Sequence, residues 1–264
     1  MLFDIKYTLI KIYNLTIEIL FPENLNCIYC KMPIHKNNKY SMCFKCYNEM
    51  IILNDVCPKC GKPFINLNLD KEVLIENCDF CKHKNFLFDR NISIVEYNEM
   101  SKKMIFGLKY SKKTFYAKLI SQIIIDKINS YYSNIIKEFD YISFVPLSKK
   151  REKERGFNQA KLITSYISQY FDITIVDCVE RNKNTKKLHK LSEKDRSREL
   201  KNAFKICEGK KELIYNKNLI IVDDVFTTGS TMNEIAKVLK LSGVGKILSL
   251  SFATGKYLKD VTDE

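Results

Sequence analysis

Residues Asn218–Val238 are the part of this 264-residue chain that leaves the fewest folds open. Leu219–Val222 is a short apolar run rich in β-branched residues, bounded by Asn218 and two acids, the pattern of a parallel strand buried on both faces. Asp223 and Asp224 follow at its C-terminal end. Thr227–Thr231 form a small hydroxyl-rich loop around Gly229, and Met232–Leu239 carries apolar residues at helical spacing, so the loop opens a helix. Ligands of open α/β sheets bind outside the carboxyl ends of the strands. The first amides of a helix lack internal partners and carry partial positive charge, so they attract an anion. Gly229 permits close backbone approach, and the hydroxyls of Thr227, Thr228, Ser230 and Thr231 add donors. The two carboxylates suit vicinal hydroxyls or a hydrated magnesium ion. A phosphate at one end and diols in the middle describe a ribose 5-phosphate. A strand–turn–helix without a ligand is the simpler alternative, but an ordinary cap uses one hydroxyl residue, not four around a glycine. No mononucleotide loop ending in Gly-Lys-Ser/Thr is present in the sequence, which argues against an ATPase.

From Val222 to Thr231 the stretch resembles the binding fingerprint of the type I phosphoribosyltransferases, which use phosphoribosyl pyrophosphate (PRPP). The resemblance implies that Asp223 and Asp224 hold the ribose hydroxyls. It implies also that Thr227, Thr228, Gly229, Ser230 and Thr231 wrap the 5-phosphate, and that Mg2+ accompanies PRPP. Purine-salvage members of that class place a carboxylate at the first position of the loop, where this chain has Thr227, a poor base at neutral pH.

Eight of the ten Cys lie in four Cys-x-x-Cys pairs: Cys27 and Cys30, Cys43 and Cys46, Cys57 and Cys60, Cys78 and Cys81. Two residues between thiolates let one tight turn present both sulfurs to one metal, and two turns complete a tetrahedron, which selects zinc. Four pairs supply two Zn2+ sites. The block is too short to bury a sufficient core, so metal contributes folding energy. Disulfides are the alternative, but no secretory signal accompanies the cysteines. The pairs can bind consecutively, as two zinc ribbons, or interleave as a cross-brace; the tandem look of the repeat, with Gly61 following Cys60, favours the consecutive arrangement. His35 and His83 lie nearby, but eight thiolates already satisfy two zinc ions.

The rest of the chain alternates. Leu87–Tyr97 reads as a strand, Met104–Tyr110 and Phe115–Ile128 as helices, and Asp140–Val145 as a strand ending at Pro146. A basic loop with Lys149, Lys150, Arg151, Lys153 and Arg155 follows, then a helix from Ala160 to Tyr170; Lys246–Ala253 reads as the last strand. Alternation with crossover lengths implies a parallel sheet covered on both faces. Cys178 and Cys207, on or near strands, read as buried small apolar groups. Val145-Pro146, the basic loop and Arg155-Gly-Phe-Asn-Gln-Ala160 resemble the ComF family of competence proteins. Arg181–Thr185, Leu191-Ser192, Arg196, Asn202-Ala-Phe204 and Leu20-Phe21-Pro22 match further family segments, although Lys183 replaces an Arg and Leu188 a Gln, a contact that His189 could take over. The resemblance covers nearly the whole chain. It implies that the basic loop binds pyrophosphate, with Lys149, Lys150, Arg151 and Arg155 as candidates, and that the protein acts in DNA uptake during natural transformation. It implies contact with single-stranded DNA and with competence-machinery partners. An active phosphoribosyltransferase of nucleotide salvage, or a PRPP-sensing regulator without catalysis, are the alternatives.

The expected architecture is therefore an N-terminal amphipathic helix (1–22), a double zinc ribbon (23–86) and an α/β parallel-sheet phosphoribosyltransferase-like domain (87–264). Residues 1–21 are apolar-rich, but Asp4, Lys6, Lys11 and Glu18 interrupt them and no small-residue cleavage site follows, so they do not read as a signal peptide. No apolar run is long enough to span a bilayer, and a cytoplasmic location is expected. The net charge of +13 favours polyanions, though an AT-rich coding sequence would also crowd a chain with Lys, Ile and Asn.

Overall fold

The strand read at Leu219–Val222 runs on to Phe226 and organises the computed structural model, which describes residues 25–63, 78, 80–81, 84–183 and 192–255. The expectations for residues 1–22, His83, Leu188 and His189 fall outside the described residues. Seven described strands are β1 (Arg90–Glu96), β2 (Tyr141–Phe144), β3 (Thr174–Ile175), β4 (Val179–Arg181), β5 (Phe204–Ile206), β6 (Leu219–Phe226) and β7 (Ile247–Thr254). Five of them form one parallel sheet in the order β1-β7-β6-β2-β3, and β4 pairs antiparallel with β5. All eight residues of β7 and the first four of β6 are buried. Helices on both faces of a parallel sheet leave its centre no contact with water, which is why these runs are continuous rather than alternating.

The chain leaves β2 toward the β3 edge but leaves β6 toward β7 on the other side. The crevice between β2 and β6 is thus the point where strand order reverses, the usual ligand position in such sheets. The register sharpens it. Phe144 of β2 lies opposite Val222, whereas β6 stays paired with β7 through Phe226 and Thr254. Asp223 and Asp224 therefore sit beyond the end of β2 while still laddered on their other edge. The sequence pattern ended the strand at Val222 because two acids interrupt the apolar run; pairing with β7 overrides them.

Helices α2 (Glu99–Tyr110), α3 (Phe115–Tyr131), α5 (Lys149–Arg155), α6 (Gln159–Phe171), α7 (Glu193–Leu200) and α9 (Ser230–Leu241) bear on the site; α1 (Phe44–Glu49), α4 (Ser133–Ile136) and α8 (Lys211–Ile214) are short. Helix α2 begins with a reciprocal cap between Asn98 and Ser101. The basic segment after Pro146, read as a loop, is helix α5. Ser148 caps it by accepting from the Arg151 amide, and Gly156 ends it at φ 87°. Seven residues of good helix propensity between a serine and a glycine are sufficient reason. Cys178 is fully buried, as expected, and Cys207 is half-buried.

The chain divides into two compact units, Met1–Met50 and Ile51–Glu264. The cysteine repeat is shared between them. In the first, Asn26 bridges Pro33 and the Lys31 amide donates to the Cys27 carbonyl at 3.0 Å; in the second, Val56 bridges Pro63 and the Gly61 amide donates to the Cys57 carbonyl at 2.8 Å. The second turn is built into the sheet. Ile52 bridges Val95 antiparallel along the outer edge of β1, and Asn91 on β1 donates to the Cys60 carbonyl at 2.9 Å. Covering that edge protects unpaired ladder groups.

Lys31 and Gly61 occupy the same left-handed position, at φ 66° and 67°. Lys31 is exposed, but a Cβ on Gly61 would lie 2.6 Å from Asn91 atoms. Left-handed backbone costs a side chain about 1–2 kcal/mol by itself. Gly61→Ala should lose ~2 kcal/mol or more in denaturant unfolding, whereas Lys31→Gly should be neutral or slightly stabilising. Equal effects would show that close packing on β1 is not what fixes the glycine.

Candidate functional site

Asp223 and Asp224 are neighbours on β6, and the Asp224 amide donates to Asp223 Oδ1 at 2.8 Å. Asp224 is only 4 % exposed. Two carboxylates so placed cannot both ionise without compensation. Lys109, in the last turn of α2, forms an ion pair with Asp224 Oδ2. Gln159, the first residue of α6, donates to Asp224 Oδ1 at 3.4 Å and accepts from Arg155 Nη1. Arg155 in turn lies 5.7 Å from the Tyr110 ring centroid, and Tyr110 adjoins Lys109. The contacts close a ring: Asp224, Lys109, Tyr110, Arg155, Gln159, Asp224.

The charges follow. Burial and the charge of Asp224 push the Asp223 carboxyl well above its ordinary range. Burial opposes ionisation of Asp224 as well, but Lys109, with hydrogen bonds from its neighbours, outweighs it and holds that carboxyl low. The pair is thus split, with Asp224 the more acidic carboxyl and Asp223 the less. Burial lowers the Arg155 pKa, and Asp224 opposes that.

The Arg-Gly-Phe-Asn-Gln segment is explained by this geometry. Arg155 closes α5, Gly156 turns the chain, and Asn158 caps α6 while donating to the Val145 carbonyl at 3.0 Å. Gln159 then faces Asp224. Lys149 and Lys150 are exposed on the first turn of α5, and Arg151 is half-buried. Arg181 on β4 is buried and lies 5.4 Å from the Phe204 ring centroid. Burial lowers its pKa to about 10; Arg151 pushes the same way, and Asp223 and Glu199 oppose. The structure thus brings Arg155 to the acid pair through Gln159 and sets Arg151 in the same field as Arg181 and Asp223. It shows no contact from Lys149 or Lys150 to the acids.

The hydroxyl loop stands where α9 begins. Thr227 is exposed; Thr228, Ser230 and Thr231 are half-buried; Gly229 is buried at φ 80°. Thr228 Oγ1 and Ser230 Oγ are 2.9 Å apart, and Ser197 Oγ on α7 reaches Ser230 Oγ at 3.1 Å. A Cβ on Gly229 would meet Phe86 Cε1 at 2.7 Å. Phe86 belongs to an aromatic stack with Phe80 at 6.3 Å, Phe88 at 4.7 Å and Phe226 at 6.3 Å between ring centroids. Phe80 lies between Cys78 and Cys81. The Leu87 amide also donates to Asn233 Oδ1 on α9 at 2.7 Å. Sequence reading assigned no site role to Lys109, Gln159, Arg181, Ser197 or Phe86. Their roles depend on elements that meet only in three dimensions, and only Gln159 and Arg181 lay in segments that reading had singled out.

The cysteines gather into two groups, Cys27/Cys30/Cys43/Cys46 and Cys57/Cys60/Cys78/Cys81, with ligand atoms within 4.8 Å of one another in each. The consecutive arrangement is the one formed. Zinc–sulfur bonds of about 2.3 Å in a tetrahedron put sulfurs ~3.8 Å apart. Cys30–Cys43 and Cys57–Cys81 are 3.7 Å apart and Cys60–Cys78 is 3.6 Å, so both groups fit structural zinc and none of these three is at disulfide distance.

Together these features define a parallel-sheet α/β protein carrying two four-cysteine metal modules. Residues 16–82 match the double zinc ribbon domain. The chain is 30 % identical over 226 residues to competence protein F of Haemophilus influenzae, spanning 85 % of this chain and 94 % of that one. It is 30 % identical to the DNA utilization protein YhgH of Escherichia coli K12, over 84 % and 93 %, and 26 % identical to competence protein ComFC of Bacillus subtilis, over 76 % and 79 %. The chain belongs to the ComF family of competence proteins. Among solved structures, a hypoxanthine phosphoribosyltransferase from Staphylococcus aureus is similar at TM-score 0.34 and 12 % identity, over 53 % of this chain and 75 % of that one. Among the described residues no helix is long and apolar enough to cross a membrane.

Purified protein should carry two zinc ions by metal analysis, and Cys60→Ser should lose one of them and lower Tm, because that cluster packs into the core of its unit. A second prediction concerns Asp223. Its raised pKa means the folded state binds the extra proton, so this group's contribution to stability falls as pH rises above the unfolded carboxyl value. Asp223→Asn should melt above wild type at pH 8, by ~2–4 °C per kcal/mol relieved. The gap should shrink toward pH ~4, near the unfolded carboxyl value. A lower Tm for the variant at pH 8 would contradict the assignment.

Proposed function

We propose that the protein binds PRPP with Mg2+ at the β2–β6 crevice and acts in DNA uptake, in contact with single-stranded DNA. The observation that carries the ligand is the acid pair set one loop before a glycine-and-hydroxyl helix start, at the point where strand order reverses. Asp223 and Asp224 take the ribose hydroxyls, and Mg2+ where present. Thr227, Thr228, Gly229, Ser230 and Thr231 take the 5-phosphate, with the free amides of α9. Arg151 and Arg155, with Lys149 and Lys150 at the mouth, take the pyrophosphate. The names of the competence and DNA utilization relatives support the cellular role, and the net charge of +13 supports a polyanionic partner. Eight thiols arranged for metal suit a reducing compartment, which supports work in the cytoplasm.

Thr227 is exposed and carries no basic group. That favours binding over activation of a nucleobase, so the ligand is read as a regulator of partner affinity; pyrophosphate release with a panel of bases is the observation that would replace this with catalysis. The direct check is thermal. PRPP with Mg2+ should raise Tm of the zinc-loaded protein, by ~2.7 kcal/mol of stability at a hundredfold excess over Kd. Thr228→Glu should abolish the shift by placing a carboxylate in the phosphate site. A variant that still responds means the phosphate lies elsewhere.

A further inference from the structure

The corner where α2 turns into α3 takes part in the site only through Lys109 and Tyr110, yet it is an unusual surface. Between Glu99 and Asp126 the sequence has six lysines and no acid. Phe106, Tyr110 and Phe115 are 46 %, 60 % and 51 % exposed. The Phe106 and Tyr110 rings are 5.2 Å apart, tilted at 52°. Singly exposed apolar residues are ordinary, but three aromatic rings on one corner among cations are not. The backbone that presents them is fixed. Gly107 lets the Tyr116 ring press against α2 with no room for a Cβ, and the Lys113 amide donates to the Gly107 carbonyl at 3.1 Å.

Rings at helical spacing with exposed ammonium groups beside them match a flexible polyanion that carries stackable faces. Single-stranded nucleic acid has both, since each base offers a π-face and each linkage a phosphate. A duplex keeps its bases stacked internally and offers the rings nothing. An acidic membrane would also accept a basic aromatic patch, but it asks for a long apolar face. The remaining large apolar residues of α2, Met100, Met104, Ile105 and Leu108, are buried in the body of the protein.

We infer that the α2–α3 corner is a platform for single-stranded nucleic acid, in which Phe106, Tyr110 and Phe115 stack on bases and Lys103, Lys112 and Lys113 meet phosphates. The inference rests on the proposed contact with single-stranded DNA and gives it a location. The platform adjoins the crevice, because Lys109 pairs with Asp224 and Tyr110 lies against Arg155.

The test uses zinc-loaded full-length protein and a fluorescently labelled oligothymidylate in an anisotropy titration over a range of salt. The double variant Phe106→Ala/Phe115→Ala should bind about tenfold or more weakly with an unchanged salt slope, since it removes stacking and no charge. Lys112→Glu/Lys113→Glu should weaken binding and flatten the slope. The chain has no tryptophan, so Phe106→Trp installs a single fluorophore that the oligonucleotide should quench. Binding that survives both double variants, or an unquenched Trp in a protein that binds, overturns the platform alone. So does a loss of binding to phosphatidylserine vesicles with oligonucleotide binding intact, which would mark a membrane surface. Absence of binding by wild type overturns the DNA reading itself. The PRPP-induced thermal shift is read separately and should persist in all three variants.

Discussion

Two carboxyl groups side by side at the end of a buried strand are the constraint around which this structure is arranged. Left alone, Asp223 and Asp224 would repel each other in a region that burial already makes hostile to charge. The fold answers with one cation and one amide. Lys109 arrives from α2, which crosses from the far strand β1, and Gln159 arrives at the first turn of α6. Each comes from a different side of β6, Lys109 after β1 beyond β7 and Gln159 after β2, so both flanks of the sheet must form before the pair has both partners. Even then only Asp224 has a cation in direct contact, and the Asp223 carboxyl is left with its pKa raised by burial and by its neighbour's charge. Sites poised in this way are where ligands that bring their own cation gain most, because binding relieves a cost the resting fold carries.

The second constraint is mechanical. The loop before α9 must come close to other groups, and Gly229 allows it by lacking a side chain where Phe86 lies. Phe86 is held by Phe80, Phe88 and Phe226, and Phe80 sits inside the last cysteine pair. Zinc held at Cys57/Cys60/Cys78/Cys81 would therefore contribute more than local folding: the free energy of coordination would also fix one wall of the loop. Asn233 strengthens the same junction by accepting from the Leu87 amide, in the segment leading into β1, and donating to the Asn85 carbonyl. In this second unit the metal turn and the α/β body share one core.

How much of this was legible in the sequence depended on whether the signal was local. The β6 run, the hydroxyl loop, α9 and the four Cys-x-x-Cys pairs each announce themselves within a few residues; the strand and the helix both formed but run further than read, and the cysteines gather as two groups of four. The consecutive grouping of cysteines was visible as a repeat. Two readings failed for want of tertiary context. The acids appeared to end the strand, but the ladder to β7 carries it on to Phe226. The basic run after Pro146 read as a loop, yet Ser148 and Gly156 bracket a helix, which leaves Lys149 and Lys150 exposed and sets Arg155 against Gln159. Lys109 had no signal at all. It is one lysine among six in its stretch, and only the crossing of α2 over the strand ends distinguishes it.

That same crossing joins the two surfaces. Lys109 and Tyr110 are consecutive, so the last turn of α2 faces the acid pair with one residue and the basic aromatic corner with the next. If the proposed ligands bind, Mg2+ carried into the crevice would compete with the Lys109 ammonium for Asp224, and a nucleic acid stacked on Tyr110 would pull on the guanidinium of Arg155 and so on Gln159. Neither effect needs a change of fold, only a redistribution of contacts within one closed ring. Because coupling free energy is reciprocal, whatever the first ligand does to affinity for the second must be returned in equal measure. The ring around Asp224 is therefore the physical link through which a sugar-phosphate signal and the handling of a strand would be read by one protein.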